Sequence, residues 1–307
     1  DSAQGAKTIA LWNPPLREDD SRRRRSAMAE ATDLFVDLVR HDQHTIVFSR
    51  SRKATELIFK WAHDRLEASL AERISPYRGG YLPADRRRIE SALFGGELMG
   101  VTATNALELG IDVGSLDAAI INTFPGTLAS FWQQAGRAGR TQEHSLGVLV
   151  GGEDALDQYY MNHPRQLFTR PVEAAVINPD NPLILEAHTA CAAHELPLQP
   201  EDERFLGEGM EEAGNRLVQA GDLRLRQGRL FWARRSRPAG SVSIRSAGRS
   251  SFAVVDTEAG EPLGTLEENQ TFSQAHPGAV YLHQGNTYID ENFPKLSFIN
   301  SITLLPD

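Results

Sequence analysis

"VTATNALELGIDVG" (residues 101–114) decides how the first half of this chain reads. An apolar run ends in Thr102-Ala103-Thr104-Asn105, and a short helical turn then leads to Gly110-Ile111-Asp112. Hydroxyls and backbone N–H groups at a strand-to-helix turn are well placed to hold phosphate oxygens. Asp112 is suited to accept hydrogen bonds from a ribose or an arginine, or simply to cap a neighbouring turn. Working outward, "KTIALWN" (7–13), "HTIVFS" (44–49), "LMGVTAT" (98–104), "LDAAIINT" (116–123) and "SLGVLVG" (145–151) read as strands, with "ISPY" (74–77) short and extended. Helical periodicity covers 27–39, 53–71, 86–93 and a stretch near 154–161. Strands alternating with helices predict an α/β fold on a parallel sheet. In such sheets the working loops follow the carboxyl ends of the strands. Ser49–Arg52, Arg78–Gly80, Thr102–Asn105 and Asn122–Pro125 all fall there.

Further along, "TRPVEAAVINPDNP" (169–182) carries three prolines and reads as a boundary. Helical patterns over 183–196 and 208–220 lead into "DLRLRQGRLFWARR" (222–235), which alternates around Gln227–Gly228 as a hairpin does. Helices followed by a hairpin predict a winged-helix-like unit. From about residue 241 short strand patterns predominate. The expected organisation is three domains: 1–170 on the parallel sheet, 171–240 winged-helix-like, and 241–307 a small β-rich accessory unit.

The net charge of −9 excludes a global basic field for nucleic acid. Residues 1–170 hold 21 Lys+Arg against 22 Asp+Glu, so an anion site would be local and most at home there. The single cysteine, Cys191, excludes an intrachain disulfide and an all-cysteine zinc site. The nine histidines show no ligand spacing, so no metal site is expected. No run approaches the ~20 apolar residues that span a bilayer, and the polar start lacks a signal peptide's apolar region. A cytoplasmic protein without membrane contact is expected.

"QQAGRAGR" (133–140) sets Arg137 and Arg140 three apart, each directly after a glycine. A guanidinium is always charged, and its planar fork matches phosphate oxygens. The small neighbours read as room for a polyphosphate, since a solvated helix face needs no glycines. The hairpin arginines with Phe231 and Trp232 form a basic, aromatic wing, suited either to stacking on nucleic acid or to packing in a core.

Four segments in order resemble the C-terminal RecA-like half of a superfamily 2 helicase: "TIVFSRSR" (45–52) motif IV, "YRGGYLPADRRRIE" (77–90) motif IVa, "TATNALELGIDVG" (102–114) motif V and "QQAGRAGR" (133–140) motif VI. "YRGGY", "TNALELGID" and "PGAVYLHQGNTY" (277–288) resemble more narrowly the SftH/MrfA-type clade of DNA-dependent ATPases, with the Lhr-type helicases as broader relatives. The resemblance implies Arg137 and Arg140 as arginine fingers on ATP, with Gln133 organising the cleft and Gly110 and Asp112 near the nucleotide. It implies Ser49, Arg50, Arg78, Gly79, Thr104 and Asn105 as contacts to the backbone of single-stranded or tailed duplex DNA. Arg78 stands where many helicases have histidine.

No G-x-x-x-x-G-K-[ST] and no Asp-Glu-x-His or Asp-Glu-Ala-Asp box occurs in the 307 residues. Arginine fingers without a P-loop cannot hydrolyse ATP. The expected reading is therefore the C-terminal part of an ATP-dependent helicase or translocase, inactive alone. ATP and Mg2+ would be used by the intact enzyme, the metal held by a missing N-terminal RecA-like domain. A non-catalytic nucleic-acid-binding module with a RecA-like fold and an RNA helicase are the alternatives.

Overall fold

Strands β1 (Lys7–Trp12), β2 (Thr45–Ser49), β3 (Ile74–Tyr77), β4 (Gly100–Ala103), β5 (Ala118–Asn122) and β6 (Ser145–Val150) form one sheet in the order β1-β6-β5-β2-β4-β3. Every pairing in it is parallel. This computed structural model describes residues 6–20, 23–109, 116–139, 144–178, 181–242, 251–292 and 301–306. It divides into two compact units, residues 1–173 with 248–307, and residues 174–247.

Strands β2 and β5 are buried along their whole length, which is why their sequences are nearly continuous apolar runs rather than alternating ones. Between the strands run α1 (Ala27–Arg40), α2 (Arg52–His63), the short α3 (Ala68–Ala71), α4 (Pro83–Phe94) and α5 (Leu128–Ala135), and after β6 come α6 (Ala155–Asn162) and the short α7 (Gln166–Thr169). Side chains of β2 alternate between faces. Val47 joins Phe35 and Val36 of α1 and Ile58 and Phe59 of α2 on one side. Ile46 and Phe48 join Ile89 and Leu93 of α4 on the other. Ile121 and Leu149 meet Leu128, Phe131 and Tyr160 in a third cluster. Gly100 has a packing cause: a Cβ there would lie 2.5 Å from the Phe35 ring. The single helix expected over 53–71 is instead α2 and α3. Arg65 and Leu66 both donate to the Ala62 carbonyl, ending α2 and turning Leu66 into the core.

The second unit holds α8 (Pro182–Glu195), the short α9 (Glu203–Leu206), α10 (Met210–Gln219) and the antiparallel pair β7 (Leu223–Arg226) and β8 (Arg229–Trp232). Gln227 and Gly228 sit at φ 48° and 75°, both left-handed as a two-residue hairpin turn requires. Leu198 bridges to Leu230, and Ala190, Ala193, Leu217 and Leu223 form the core, with Trp232 packed against it.

The β-rich segment returns to the first unit. Strands β9 (Ser251–Asp256), β10 (Pro262–Glu267), β11 (Val280–His283), β12 (Asn286–Asn292) and β13 (Ser301–Pro306) form a sheet in the order β10-β9-β13-β12-β11, and α11 (Glu268–Gln274) follows β10. Here the structure differs from three separate domains. Thr265 donates its N–H to the Gly80 carbonyl at 2.9 Å, and Tyr81 bridges to Gly264. Lys60 reaches Thr287, and Phe59 lies beside Gly285. The backbone between β3 and α4 is thus partly satisfied by β10, which ties the segment to the parallel sheet.

Candidate functional site

The carboxyl edge of the sheet gathers much of what the sequence singled out. Ser49 and Asn122 are partners in register at the ends of β2 and β5, and Asn122 donates to the Ser49 hydroxyl at 3.3 Å. Ser51 caps α2 by accepting the Ala54 N–H. Arg50 is exposed and pairs with Asp154 at 3.1 Å, joining the loops after β2 and β6. Asp154 also caps α6 through the Leu156 and Asp157 amides. Its hydrogen bonds to Asp157, and then its pairing with Arg50, hold its carboxyl below the usual range. Asp157 is pushed up to about 6, first by burial and then by sharing a hydrogen bond with Asp154. Its Oδ1 accepts the Phe124 amide at 2.8 Å.

Thr104, directly after β4, is buried, and its hydroxyl accepts the Ala106 N–H at the start of a 3₁₀ turn over Asn105–Leu107. Asn105 beside it is exposed and Gly79 is half-buried. Of the six residues expected on a strand, Arg50 and Asn105 therefore present open side chains. The hydroxyls of Ser49 and Thr104 are buried, and each is engaged within the fold.

Arg78 departs from expectation. Only 1% exposed, it donates from Nε to Glu56 Oε1 at 2.7 Å, and from Nη2 to the Leu282 carbonyl at 2.8 Å and the Tyr281 hydroxyl at 3.2 Å. Tyr81 donates its hydroxyl to the same Glu56 oxygen at 2.6 Å. The guanidinium expected to reach a phosphate is instead spent on docking the β-rich segment. A charge this deeply buried persists only with such partners.

Glu108, which sequence reasoning did not single out, is a hub. Its carboxylate accepts Ser130 Oγ at 2.8 Å and Gln134 Nε2 at 2.9 Å, both from α5. Its backbone carbonyl accepts both Nε and Nη2 of Arg137. One residue thus clamps the 101–109 segment to the 130–137 segment. Gln134 faces this clamp, whereas Gln133 is exposed. The only signal in the sequence was an acid inside an otherwise uncharged turn.

Arg137 is 4% exposed and held against Glu108, not splayed into solvent. Gly110, Asp112 and Arg140 lie outside the described residues. The small residues around Arg137 have causes other than room for a polyphosphate. Ala138 is in the core and bridges in parallel to Leu116. Gly139 has φ 78°, and a Cβ on it would come 2.1 Å from Ser145 Oγ. Among the described residues no group of three His, Cys, Asp or Glu is placed to hold a metal ion, and no helix is long and apolar enough to cross a membrane.

Residues 28–142 match the helicase conserved C-terminal domain, and residues 177–247 match the winged helix domain of the ATP-dependent helicase HRQ1. The chain carries a RecA-like helicase C-terminal domain joined to a winged helix of that type. It is homologous to the superfamily 2 helicases of the YprA and Hrq1 kind, in the SftH/MrfA-type, Lhr-like clade. It is 39% identical over 288 residues to the uncharacterized ATP-dependent helicase YprA of Bacillus subtilis, covering 92% of this chain and 38% of that protein. It is 36% identical over 299 residues to the ATP-dependent helicase hrq1 of Schizosaccharomyces pombe, covering 94% of this chain and 28% of the relative. The crystal structure of the DUF1998 helicase MrfA bound to DNA and AMPPNP superposes with a TM-score of 0.83 at 36% identity, over 100% of this chain and 43% of that one. The chain spans less than half the length of each of these proteins.

Proposed function

We propose that this chain is the C-terminal part of an ATP-dependent DNA helicase or translocase. The observation that carries the reading is Arg137, seated on the Glu108 carbonyl within a RecA-like helicase domain. A guanidinium already held in place needs little reorganisation to meet charge on a triphosphate. ATP, with its Mg2+, is held chiefly by a second RecA-like domain that carries the P-loop. From this chain Arg137 and Arg140 face the phosphates, with Gly110 and Asp112 near the nucleotide and Gln133 on the open side of α5. Cleft opening and closing then advances a single strand of DNA, which this domain grips by its phosphates. Arg50 and Asn105 are the open side chains for that grip.

In the intact enzyme, Arg137→Ala lowers kcat of the DNA-stimulated ATPase by about 10³-fold, the scale of an arginine finger. Single-strand affinity stays near that of the unaltered enzyme. Undiminished turnover would refute the assignment, and stronger stimulation by RNA than by DNA would move the substrate to RNA.

A further inference from the structure

Between the first turn of α2 and the β-rich segment lies a cavity of about 400 Å3, lined by Ser51, Arg52, Lys53 and Arg78 on one wall and by residues from Ser273 to Leu282 on the other. Its central feature is Arg52. Among the described residues this guanidinium makes no hydrogen bond and no ion pair, and its Nη1 is buried without a partner. Burial first, and then the neighbouring Arg78 charge, lower its pKa, against smaller favourable contributions from Tyr281 and Glu267. Gly79 and Gly80 lie directly beneath it. A Cβ at Gly80 would sit 3.0 Å from Nη1 and one at Gly79 3.6 Å from Nη2. Arg52 is half-buried, and a partly desolvated guanidinium that no acid hydrogen-bonds is costly.

We propose that this cavity is a binding site for a phosphate group. Arg52 supplies the contact through its unpartnered guanidinium nitrogens. Arg78, fully engaged with Glu56, Tyr281 and Leu282, contributes field and not contact. The lining holds three cations against the one acid Glu56, which is itself paired. Glu56 Oε2, also buried without a partner, keeps the site selective for a ligand that brings a donor or a water beside its anionic oxygens. The amides of Arg52 and Lys53, in the first turn of α2, lie outside the intrahelical ladder and add donors at the positive end of the helix. The walls come from both the parallel sheet's α2 and the β-rich segment, so docking of that segment builds the site. As a site for a nucleic-acid backbone it rests on the strand-binding reading above; as a site for free phosphate it does not.

Two measurements on the 307-residue chain test it. In the first, inorganic phosphate is titrated and broadening of its ³¹P resonance is followed. The chain should show saturable broadening that Arg52→Ala removes and Arg52→Lys partly keeps. In the second, anisotropy of a labelled oligothymidylate of about 12 nucleotides is followed across salt. Arg52→Ala should weaken binding about tenfold at low salt and flatten the slope of log K against log salt by about 0.7, the loss of one phosphate contact on a single strand. Circular dichroism confirms that the variant folds, as expected for a side chain with no partner. If the chain binds phosphate through Arg52 yet ignores the oligonucleotide, the site stands and the strand reading falls. Binding of either ligand that is indifferent to Arg52→Ala, or binding of neither, overturns the proposal.

Discussion

Arg78 Nε lies 2.7 Å from Glu56 Oε1, with the two side chains 1% and 2% exposed, and the same guanidinium holds the carbonyl of Leu282 more than two hundred residues away. A buried ion pair therefore joins α2, the loop after β3 and strand β11. Removing one member strands the other charge in a low-dielectric interior, which is far worse than removing both. Arg78→Ala should destabilise the first unit by about 3–5 kcal/mol. Urea unfolding checks this, and limited proteolysis should show earlier cleavage within residues 251–292. The double variant Arg78→Leu with Glu56→Leu should recover part of the loss. A single variant as stable as the parent would show the pair to be dispensable.

Glu108 positions Arg137 and does not itself meet the nucleotide in the reading above. Glu108→Ala leaves the Arg137-accepting carbonyl in place but frees the turn from Ser130 and Gln134. Small misplacements of a catalytic group can cost about 100-fold. In the intact enzyme kcat for ATP should fall by about 10- to 100-fold, with KM changing much less. Glu108→Gln, which can still accept from Ser130, should recover most of the rate. A variant that alters KM alone would remove Glu108 from this role.

His283 is pushed down to about 4 by burial, and then by the positive charge of Arg78. Its ring packs edge-on to Tyr81 at 5.0 Å, and its Nδ1 has no partner. The unfolded chain takes up this proton near pH 6.5, well before the folded one does. Stability is thus fully present above about pH 6.5 and is lost as pH falls toward 4. His283→Phe keeps the ring contact and removes the titration. It should match the parent at pH 7.5 and melt higher than the parent at pH 5. Parallel melting curves at both pH values would contradict the assignment.

Several elements were legible because their cause is local. The apolar runs of β2, β4 and β5 announce buried parallel strands, and Gln227-Gly228 announces a turn that needs two left-handed residues. Strand β10 and α11 gave no such signal. The register of β10 shifts between Pro262 and Gly264, breaking the alternation by which a strand is recognised. The glycines of the 136–140 stretch were visible, but their reason was not. Gly139 answers to Ser145 and to its own φ, which no reading of neighbours along the chain supplies.

By itself the sequence determined the alternating α/β order, the winged-helix unit and the residue types that meet phosphate, because periodicity and turn chemistry act over a few residues. Only the tertiary structure decided which arginines are open to an anion. Arg50, Arg52 and Arg78 stand within thirty positions of one another, each just past the end of a strand, and look alike in one dimension. The fold leaves Arg50 at the surface with Asp154, seats Arg52 unpaired over two glycines, and seals Arg78 against Glu56 and Leu282. The physical reason is that the net cost of a buried charge depends on what surrounds it, and those surroundings come from strands distant in the chain.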